Sequence, residues 1–259
     1  MNTKTVENKA VLNTKEIFAA SDGQVYEIQI ARGDKLNALT DAMYASLVEQ
    51  LKYAESDDET KVIFLRSDNK HFCAGNDLAD FLETEFNQES NVVQFLTTIA
   101  SLTKPMVCAV GGAAVGIGTT MLLHCDLIYA CDDSKFSVPF IKLGLTPEGG
   151  SSKLLAQRCG VAKANDWLFT GRTFLAQEAL DSGLVNGIFA GTETTWAEAR
   201  KVAQKLARNS SRVLNETKAL LKADQVTDII EVMKKEAVIF AQGLETEESK
   251  AAFKAFLNK

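Results

Sequence analysis

The sequence is short of histidine, proline and paired cysteine, and each shortage excludes a class of protein. Two histidines in 259 residues cannot build a histidine-rich metal cluster. The five cysteines stand singly and form no C-x-x-C pair, which is typical of reduced thiols rather than of a disulfide framework or a zinc site. Only three prolines occur, and no Pro-rich linker divides the chain. We therefore expect no bound metal and no flexible linker.

Long apolar runs and basic runs are also missing. No apolar segment approaches the roughly 20 residues that a transmembrane helix needs, so a membrane partner is not expected. The net charge is −6 and no basic run is present, which argues against a nucleic-acid partner. Residues 1–16 are polar and contain no arginine, and the C-terminus does not read Ser-Lys-Leu. These features predict a cytoplasmic protein.

What the sequence does contain is enough apolar material for a large core, since 46% of its residues are hydrophobic. Short β-branched and apolar runs predict strands at Val25–Ile30, 62–66, Met106–Val110, 127–130 and Gly187–Phe189. Apolar residues at helical spacing predict helices at 41–54, 92–102, 117–124, 152–157, 165–169 and 177–182. Strands separated by helices predict an α/β fold with right-handed crossovers.

Beyond about residue 192 the pattern is purely helical. The penultimate helix carries an apolar stripe of Ile229, Met233, Ala237 and Phe240, and a last short helix follows. Such a face packs either on the protein's own core or on a neighbouring subunit. We therefore divide the chain into a core at 1–192 and a C-terminal helical region at 193–259.

One carboxylate stands in an unusual setting, in the segment Leu-Gly-Leu-Thr-Pro-Glu-Gly-Gly-Ser-Ser at 143–152. Pro147 biases the residue before it away from helical backbone angles, and two glycines follow Glu148. We expect Ser151 to cap the helix that begins there. A carboxylate held at such a junction among apolar neighbours can serve as a general base.

Two other segments offer backbone amides. Phe-Cys-Ala-Gly-Asn-Asp-Leu at 72–78 is built of small residues that let a ligand lie against the main chain. The segment 104–120 predicts a buried strand, a glycine-rich turn and a helix start, where unpaired N–H groups favour negative charge. Two amides that converge on one oxygen form an oxyanion hole, in which one donor stabilises the transition state by about 3–4 kcal/mol.

A dinucleotide-binding loop is the rival interpretation of the glycine-rich turn. Gly116 and Gly118 match the first half of that fingerprint, but its third glycine is replaced by Met121. About twenty residues further on, Phe140 stands near the position where an acidic residue is expected. The sequence therefore disfavours a dinucleotide site.

Taken together, the segments 72–78, 104–126 and 136–152 resemble the crotonase superfamily, the enoyl-CoA hydratase/isomerase family. The resemblance extends over residues 20 to 257. It implies a spiral of β-β-α turns with a helical C-terminal region that covers the site or forms a trimer or a dimer of trimers. It also implies an acyl-CoA substrate whose coenzyme A belongs to the substrate, so that neither a separate cofactor nor a metal is expected.

Departures from the family pattern decide which reaction the resemblance implies. Hydratases of the family use two glutamates, and the corresponding positions here hold Thr120 and Phe140. Glu148 lies where the peroxisomal-type Δ3,Δ2-enoyl-CoA isomerases carry their catalytic glutamate. The resemblance therefore implies an isomerase with Glu148 as its base and the N–H groups of Asn76 and Ile117 as its oxyanion hole. The substrate-binding residues that it implies are Lys35, Leu36, Ala38, Ala74, Gly75, Asp77, Leu78, Thr120 and Phe140.

Alternatives remain at this point. The chain could be a hydratase or another CoA-thioester enzyme that uses Glu148 differently, or a non-catalytic acyl-CoA-binding protein. Asp77 could equally be a helix cap, and Glu83 or Glu85 could supply a second acid. Cys73 has no indicated histidine partner, so we expect a structural thiol there. The segment 80–89 is predicted to cover the acyl chain, or else to be a solvated helix.

Overall fold

The computed structural model describes residues 15–83, 86–87, 89–222 and 225–257. The polar residues 1–14, Glu85 and the two C-terminal residues, on which parts of the predictions above fall, lie outside this range. Within the described residues, no helix combines the length and the apolar character needed to cross a bilayer.

Nine strands form two sheets in the described part of the chain. The strands are β1 (Ile17–Asp22), β2 (Val25–Ile30), β3 (Val62–Ser67), β4 (Met106–Val110), β5 (Ala113–Val115), β6 (Leu127–Cys131), β7 (Lys135–Ser137), β8 (Thr173–Leu175) and β9 (Gly187–Phe189). The larger sheet has the order β1-β2-β3-β4-β6-β9, and all its pairs are parallel except β1 with β2. The smaller sheet has the order β5-β7-β8.

Eleven α-helices accompany the strands in the described residues. They are α1 (Asp41–Ser56), α2 (Leu78–Glu83), α3 (Asn91–Ser101), α4 (Ile117–Thr120), α5 (Ser151–Cys159), α6 (Val161–Thr170), α7 (Ala176–Asp181), α8 (Thr192–Ala207), α9 (Ser211–Lys222), α10 (Gln225–Leu244) and α11 (Glu247–Leu257). Thr40 caps α1 by accepting a hydrogen bond from the Met43 N–H at 3.3 Å.

The chain repeats one unit, in which a strand of the larger sheet is followed by a strand of the smaller sheet and then by a helix. β4, β5 and α4 form one such unit, and β6 and β7 lead into α5 after a 3-10 turn. β3 begins a third unit, whose second strand is reduced to a parallel bridge between Cys73 and Ala114. Consequently the loops that follow the second strands lie next to one another.

Burial explains why these strands form where the sequence predicts them. Every residue of β4 is buried, as expected for a parallel strand covered on both faces. The predictions for β2, β4 and β9 are confirmed with the same bounds, and β3 and β6 are each one residue longer than predicted. The helix predicted at 117–124 is α-helical only to Thr120 and continues as a 3-10 helix to His124.

The C-terminal helices share the core of the rest of the protein. Trp196, Ala199 and Ala203 of α8 are buried against Phe64 and Val107 of the larger sheet. Residues of α10 and α11 belong to the main hydrophobic cluster on the other side of the sheet. The boundary predicted at residue 192 therefore does not separate two hydrophobic cores.

Candidate active site

Glu148 lies in the connection between the smaller sheet and α5. Gly149 and Gly150 have φ angles of +68° and +75°, which only glycine adopts without strain, and they turn the chain sharply into the helix. The expected cap by Ser151 is wrong, because Gly150 is the N-cap residue. The Ser151 hydroxyl instead donates back to the Glu148 carbonyl oxygen at 2.6 Å. This bond ties the backbone of the acid to the first turn of α5.

The Glu148 carboxyl group is buried, with 9% of the residue exposed. The Thr120 hydroxyl donates a hydrogen bond to its Oε1 at 2.5 Å. Burial raises the pKa of Glu148 to about 8, the bond from Thr120 lowers it, and the charge of Glu236 raises it. A carboxyl group with a pKa raised in this way can accept a proton near neutral pH and hold it long enough to return it.

Glu148 faces a narrow apolar cleft. The residues that line it are Asn76, Phe81, Phe86, Val92, Val93, Leu96, Glu148, Gly149, Met233, Ala237 and Phe240. Glu148 is the only titratable group among these described lining residues. An apolar cleft with a single acid fits a hydrocarbon substrate and one proton-transfer group.

Three aromatic rings lie together along the cleft. The ring centroids of Phe86 and Phe240 are 5.2 Å apart, and Phe81 contacts both rings edge-on or tilted. Phe81 and Phe86 belong to the segment 80–89, which was predicted to cover the acyl chain. Both line the cleft, as that prediction requires.

Asn76 lies beside Glu148 in the cleft, on a loop that is paired with residue 39. The Leu39 N–H donates to the Gly75 carbonyl and the Asp77 N–H to the Leu39 carbonyl, each at 2.8 Å. In a parallel bridge of this kind, the N–H of the residue between the two bonded ones, here Asn76, points away from the segment of Leu39. The Asn76 N–H accordingly has no acceptor among the described residues. The Tyr44 hydroxyl donates to the Asn76 side-chain oxygen.

Ile117 is the first residue of α4 and follows a glycine with a φ of +56°. The Gly116 N–H donates to the Ser137 carbonyl, whereas the N–H of Ile117 has no acceptor in the described part of the chain. The Val115 N–H donates to the Cys73 carbonyl at 2.9 Å, which fastens this turn to the loop that carries Asn76. The structure thus places two unused amides on two directly adjoining turns.

Gly118 shows how closely the two turns approach. A Cβ atom at this position would overlap the Cys73 carbonyl oxygen and lie 2.9 Å from the Cys73 Cβ. Gly75, with a φ of +106°, lies against the Val115 carbonyl from the other side. Gly75 and Gly118, which the sequence suggested for ligand contact, therefore allow the main chains of the two turns to approach each other closely.

Three of the predicted binding residues belong to the turn between β2 and α1. Lys35 and Leu36 are exposed, and Leu36 has a left-handed φ of 51°. Its carbonyl accepts the N–H of Ala74 at 3.1 Å, which joins this turn to the loop of Asn76. The Ala38 carbonyl accepts a hydrogen bond from Arg32 at 2.9 Å. None of them is among the residues described as lining the cleft.

The remaining predicted binding residues have structural contacts of their own. Asp77 pairs with Arg32 at 2.8 Å and accepts the N–H of Ala79 at 3.1 Å, so it acts as the helix cap that was the alternative interpretation. Leu78 packs against the main core, and Phe140 is buried in a 3-10 turn. Neither Leu78 nor Phe140 is among the described lining residues of the cleft.

Three candidates for additional chemistry are inert or lie outside the cleft. Burial raises the pKa of the Cys73 thiol to about 12, so the group stays protonated, as expected of a structural cysteine. Glu83 is exposed and is not among the described lining residues. Potential metal-ligand atoms of Cys131, Asp132 and Asp133 lie within 4.8 Å of one another, but none of these residues is among those that line the cleft.

Sequence reasoning missed the contribution of α3 and α10. Leu96 of α3 and Met233 and Phe240 of α10 line the cleft, and Glu236 of α10 is buried next to the Glu148 loop. The apolar stripe of α10 was visible in the sequence, but its apolar residues did not indicate that it faces Glu148. The one available signal was the acid Glu236 within this stripe.

Comparison with known proteins identifies the fold. A family model described as "Enoyl-CoA hydratase/isomerase" matches residues 20–259. A crystal structure of an enoyl-CoA hydratase/isomerase from Pseudoalteromonas atlantica superposes with a TM-score of 0.90 at 36% identity, and the match covers 94% of this chain and 97% of that one. The predicted crotonase-like α/β fold is confirmed.

The names of curated relatives include both an isomerase and a hydratase. Enoyl-CoA delta isomerase 2 of Rattus norvegicus is 35% identical over 212 residues, which are 78% of this chain and 54% of that protein. The 2,3-dehydroadipyl-CoA hydratase of Escherichia coli is 28% identical over 246 residues, which are 94% of this chain and 96% of that protein. These similarities leave the reaction to be decided by the site.

Proposed function

Since this chain belongs to the enoyl-CoA hydratase/isomerase family, we propose that it moves the double bond of a 3-enoyl-CoA to the 2-position. The observation that carries the proposal is the pairing of Glu148 with Thr120 in an apolar cleft, where the described lining offers no second acid. Water addition needs one group to activate water and another to protonate carbon. A double-bond shift needs a single group that first takes and then returns a proton.

In the proposed mechanism, the Glu148 carboxylate removes a proton from C2 of the acyl chain. The electrons of the broken C–H bond form a dienolate, whose negative charge rests on the thioester oxygen. The N–H groups of Asn76 and Ile117 donate hydrogen bonds to that oxygen. The Glu148 carboxylic acid then gives its proton to C4, the carbonyl reforms, and the double bond lies between C2 and C3.

Thr120 acts on the base rather than on the substrate. Its hydroxyl stands where hydratases of the family carry a glutamate, and it donates to Glu148 Oε1. The bond fixes one carboxylate oxygen and leaves Oε2 for proton transfer. Thr120 is therefore proposed to orient the acid, in place of its predicted role in substrate binding.

The exposed turn of Lys35, Leu36 and Ala38 is proposed to hold the nucleotide part of coenzyme A. Its attachment to the Asn76 loop through Ala74 supports this, because the thioester would lie at the other end of the same loop. Coenzyme A is part of the substrate, and the proposed steps use no separate cofactor or metal. The trimeric or hexameric assembly expected from the resemblance stays a prediction, and so does the cytoplasmic location expected from the sequence.

The reaction is tested by adding the protein to a 3-enoyl-CoA and following the absorbance of the conjugated thioester. We expect conjugation to appear with turnover, because the dienolate is protonated at C4. In a parallel assay with a 2-enoyl-CoA, we expect hydration to be at least about a hundredfold slower, since no second acid–base group assists it.

Each alternative has its own outcome in these two assays. Hydration as fast as isomerisation would contradict the proposal and indicate a hydratase. Binding of acyl-CoA with neither reaction would contradict it too, and would indicate a non-catalytic binding protein.

A further inference from the structure

A second buried carboxylate lies directly behind the loop of Glu148. Glu236, in the middle of α10, is 7% exposed. Its Oε2 accepts the Gly150 N–H at 2.6 Å, and its Oε1 accepts the Ser152 N–H at 3.0 Å. These amides belong to the N-terminus of α5, where four N–H groups lack partners within the helix. A side chain remote in sequence thus caps α5, the helix that begins three residues after Glu148.

The same contact attaches α10 to the loop that carries Glu148. Gly150 lies against α10 so closely that a Cβ there would be 3.1 Å from Ile229 and 3.4 Å from Met233. Met233 and Phe240 of α10 also line the cleft. One helix therefore forms a wall of the substrate cleft and holds the backbone of the base.

The loop is held from the opposite side as well. His124 is buried, and its Nε2 lies 2.8 Å from the Gly149 carbonyl oxygen. Burial lowers the pKa of His124 to about 4, so the neutral ring donates this bond through Nε2–H. The peptide group between Gly149 and Gly150 is consequently hydrogen-bonded at both its carbonyl oxygen and its N–H.

We propose that Glu236 is a positioning residue that sets both the place and the proton affinity of Glu148, through its two backbone hydrogen bonds and its negative charge. This inference rests on the proposed function, in which Glu148 is the base. Glu236 itself is not among the described residues that line the cleft, and its carboxylate accepts hydrogen bonds from the backbone amides of Gly150 and Ser152.

The charge of Glu236 acts on Glu148 with little compensation. It raises the pKa of Glu148, in addition to the larger effect of burial. Burial also raises the pKa of Glu236, while the bonds from Ser152 and Gly150 lower it and favour its ionised form. α3, which packs against α10, carries no titratable side chain.

The charged groups of α5 have partners of their own. On α5, Lys153 pairs with Asp228 of α10, and Arg158 donates to the carbonyls of Leu122 and Cys125. The remaining charged residues on α10 and α11 in the described part of the chain are Glu231, Lys234, Lys235, Glu247, Glu248, Lys250 and Lys254.

The test is the pH dependence of kcat/KM for a 3-enoyl-CoA in the Glu236→Gln variant. Glutamine removes the charge and keeps one hydrogen-bond acceptor. Without the charge the pKa of Glu148 falls, so the rising limb of the pH profile is expected to move to lower pH. The plateau of kcat is expected to fall about 10- to 100-fold, because the base is less well placed. Glu231→Gln is the matched control, since it removes an acid of α10 that is paired with Lys234 and is half exposed; its profile should match that of the parent.

Glu236→Asp separates charge from position and also serves if the glutamine variant folds poorly. Aspartate restores the charge with a shorter side chain, so the limb should return to its original pH while the plateau stays low. An unshifted limb in Glu236→Gln, or a limb that stays shifted in Glu236→Asp, overturns the proposal. If Glu148→Gln is inactive while Glu236→Gln behaves like the parent, only this inference fails; if Glu148→Gln is active, the proposed function fails.

Discussion

Glu148→Gln is expected to lower kcat for a 3-enoyl-CoA by about a thousandfold. Glutamine has nearly the same size and can still accept the hydrogen bond from Thr120, but it cannot take up a proton. The variant should therefore bind acyl-CoA with little change in affinity, which a titration can measure. Turnover within a few-fold of the parent would remove Glu148 from the mechanism.

The same variant should be more stable than the parent at alkaline pH. The folded-state pKa of Glu148 is raised from 4.5 to about 8, mainly by burial. The favourable contribution of its protonated form is complete below pH 4.5 and is lost as the pH rises through about 8. At pH 9, Glu148→Gln should gain about 2–4 kcal/mol in free energy of unfolding, and at pH 4.5 almost nothing. Denaturant unfolding at the two pH values checks this, and equal effects at both would contradict a raised pKa.

Gly118→Ala is expected to be the most damaging small substitution in the oxyanion hole. The added methyl group overlaps the Cys73 carbonyl oxygen and reaches within 2.9 Å of the Cys73 Cβ, so the two turns must separate. Overpacking of this kind costs about 1–3 kcal/mol of stability. Displacing one amide of the hole should lower kcat by about 10²–10³.

Gly243→Ala is the matched control for Gly118→Ala. Gly243 is also helical, and its nearest contact is the Leu145 side chain at 3.2 Å, which can move aside. Its activity should remain close to that of the parent in the same assay. If Gly118→Ala keeps the activity of the parent as well, the closely packed turns do not form the hole.

Local sequence signals predicted most of the larger sheet and the helices around it. β4 could be recognised because five consecutive buried residues leave an apolar run. Of the three-residue strands in the described part of the chain, β9 was predicted, whereas β5, β7 and β8 were not, because they are defined by pairing rather than by composition. The antiparallel β1 was missed as well, since only two of its six residues are buried.

The site divides in the same way between local and distant contacts. Glu148 could be selected from its own segment, Asn76 and Ile117 were implied by the family resemblance of theirs, and Thr120 was singled out by its departure from the family pattern. The bond between Thr120 and Glu148 joins residues that are 28 positions apart in the sequence. The bonds by which Glu236 caps α5 span 86 and 84 positions. The cap expected from Ser151 failed because Gly150 is the N-cap residue, and a distant carboxylate accepts the N–H groups of Gly150 and Ser152.

Transfer of an isotopic label within one substrate molecule tests the central claim most directly. A 3-enoyl-CoA deuterated at C2 is converted in a single turnover, and the product is analysed for deuterium at C4. Because Glu148 is buried in an apolar cleft, the acid should return part of the label before it exchanges with water. The account predicts deuterium at C4 in a measurable fraction of the product. Product that carries only solvent hydrogen at C4 would contradict a shuttle by one enclosed carboxyl group.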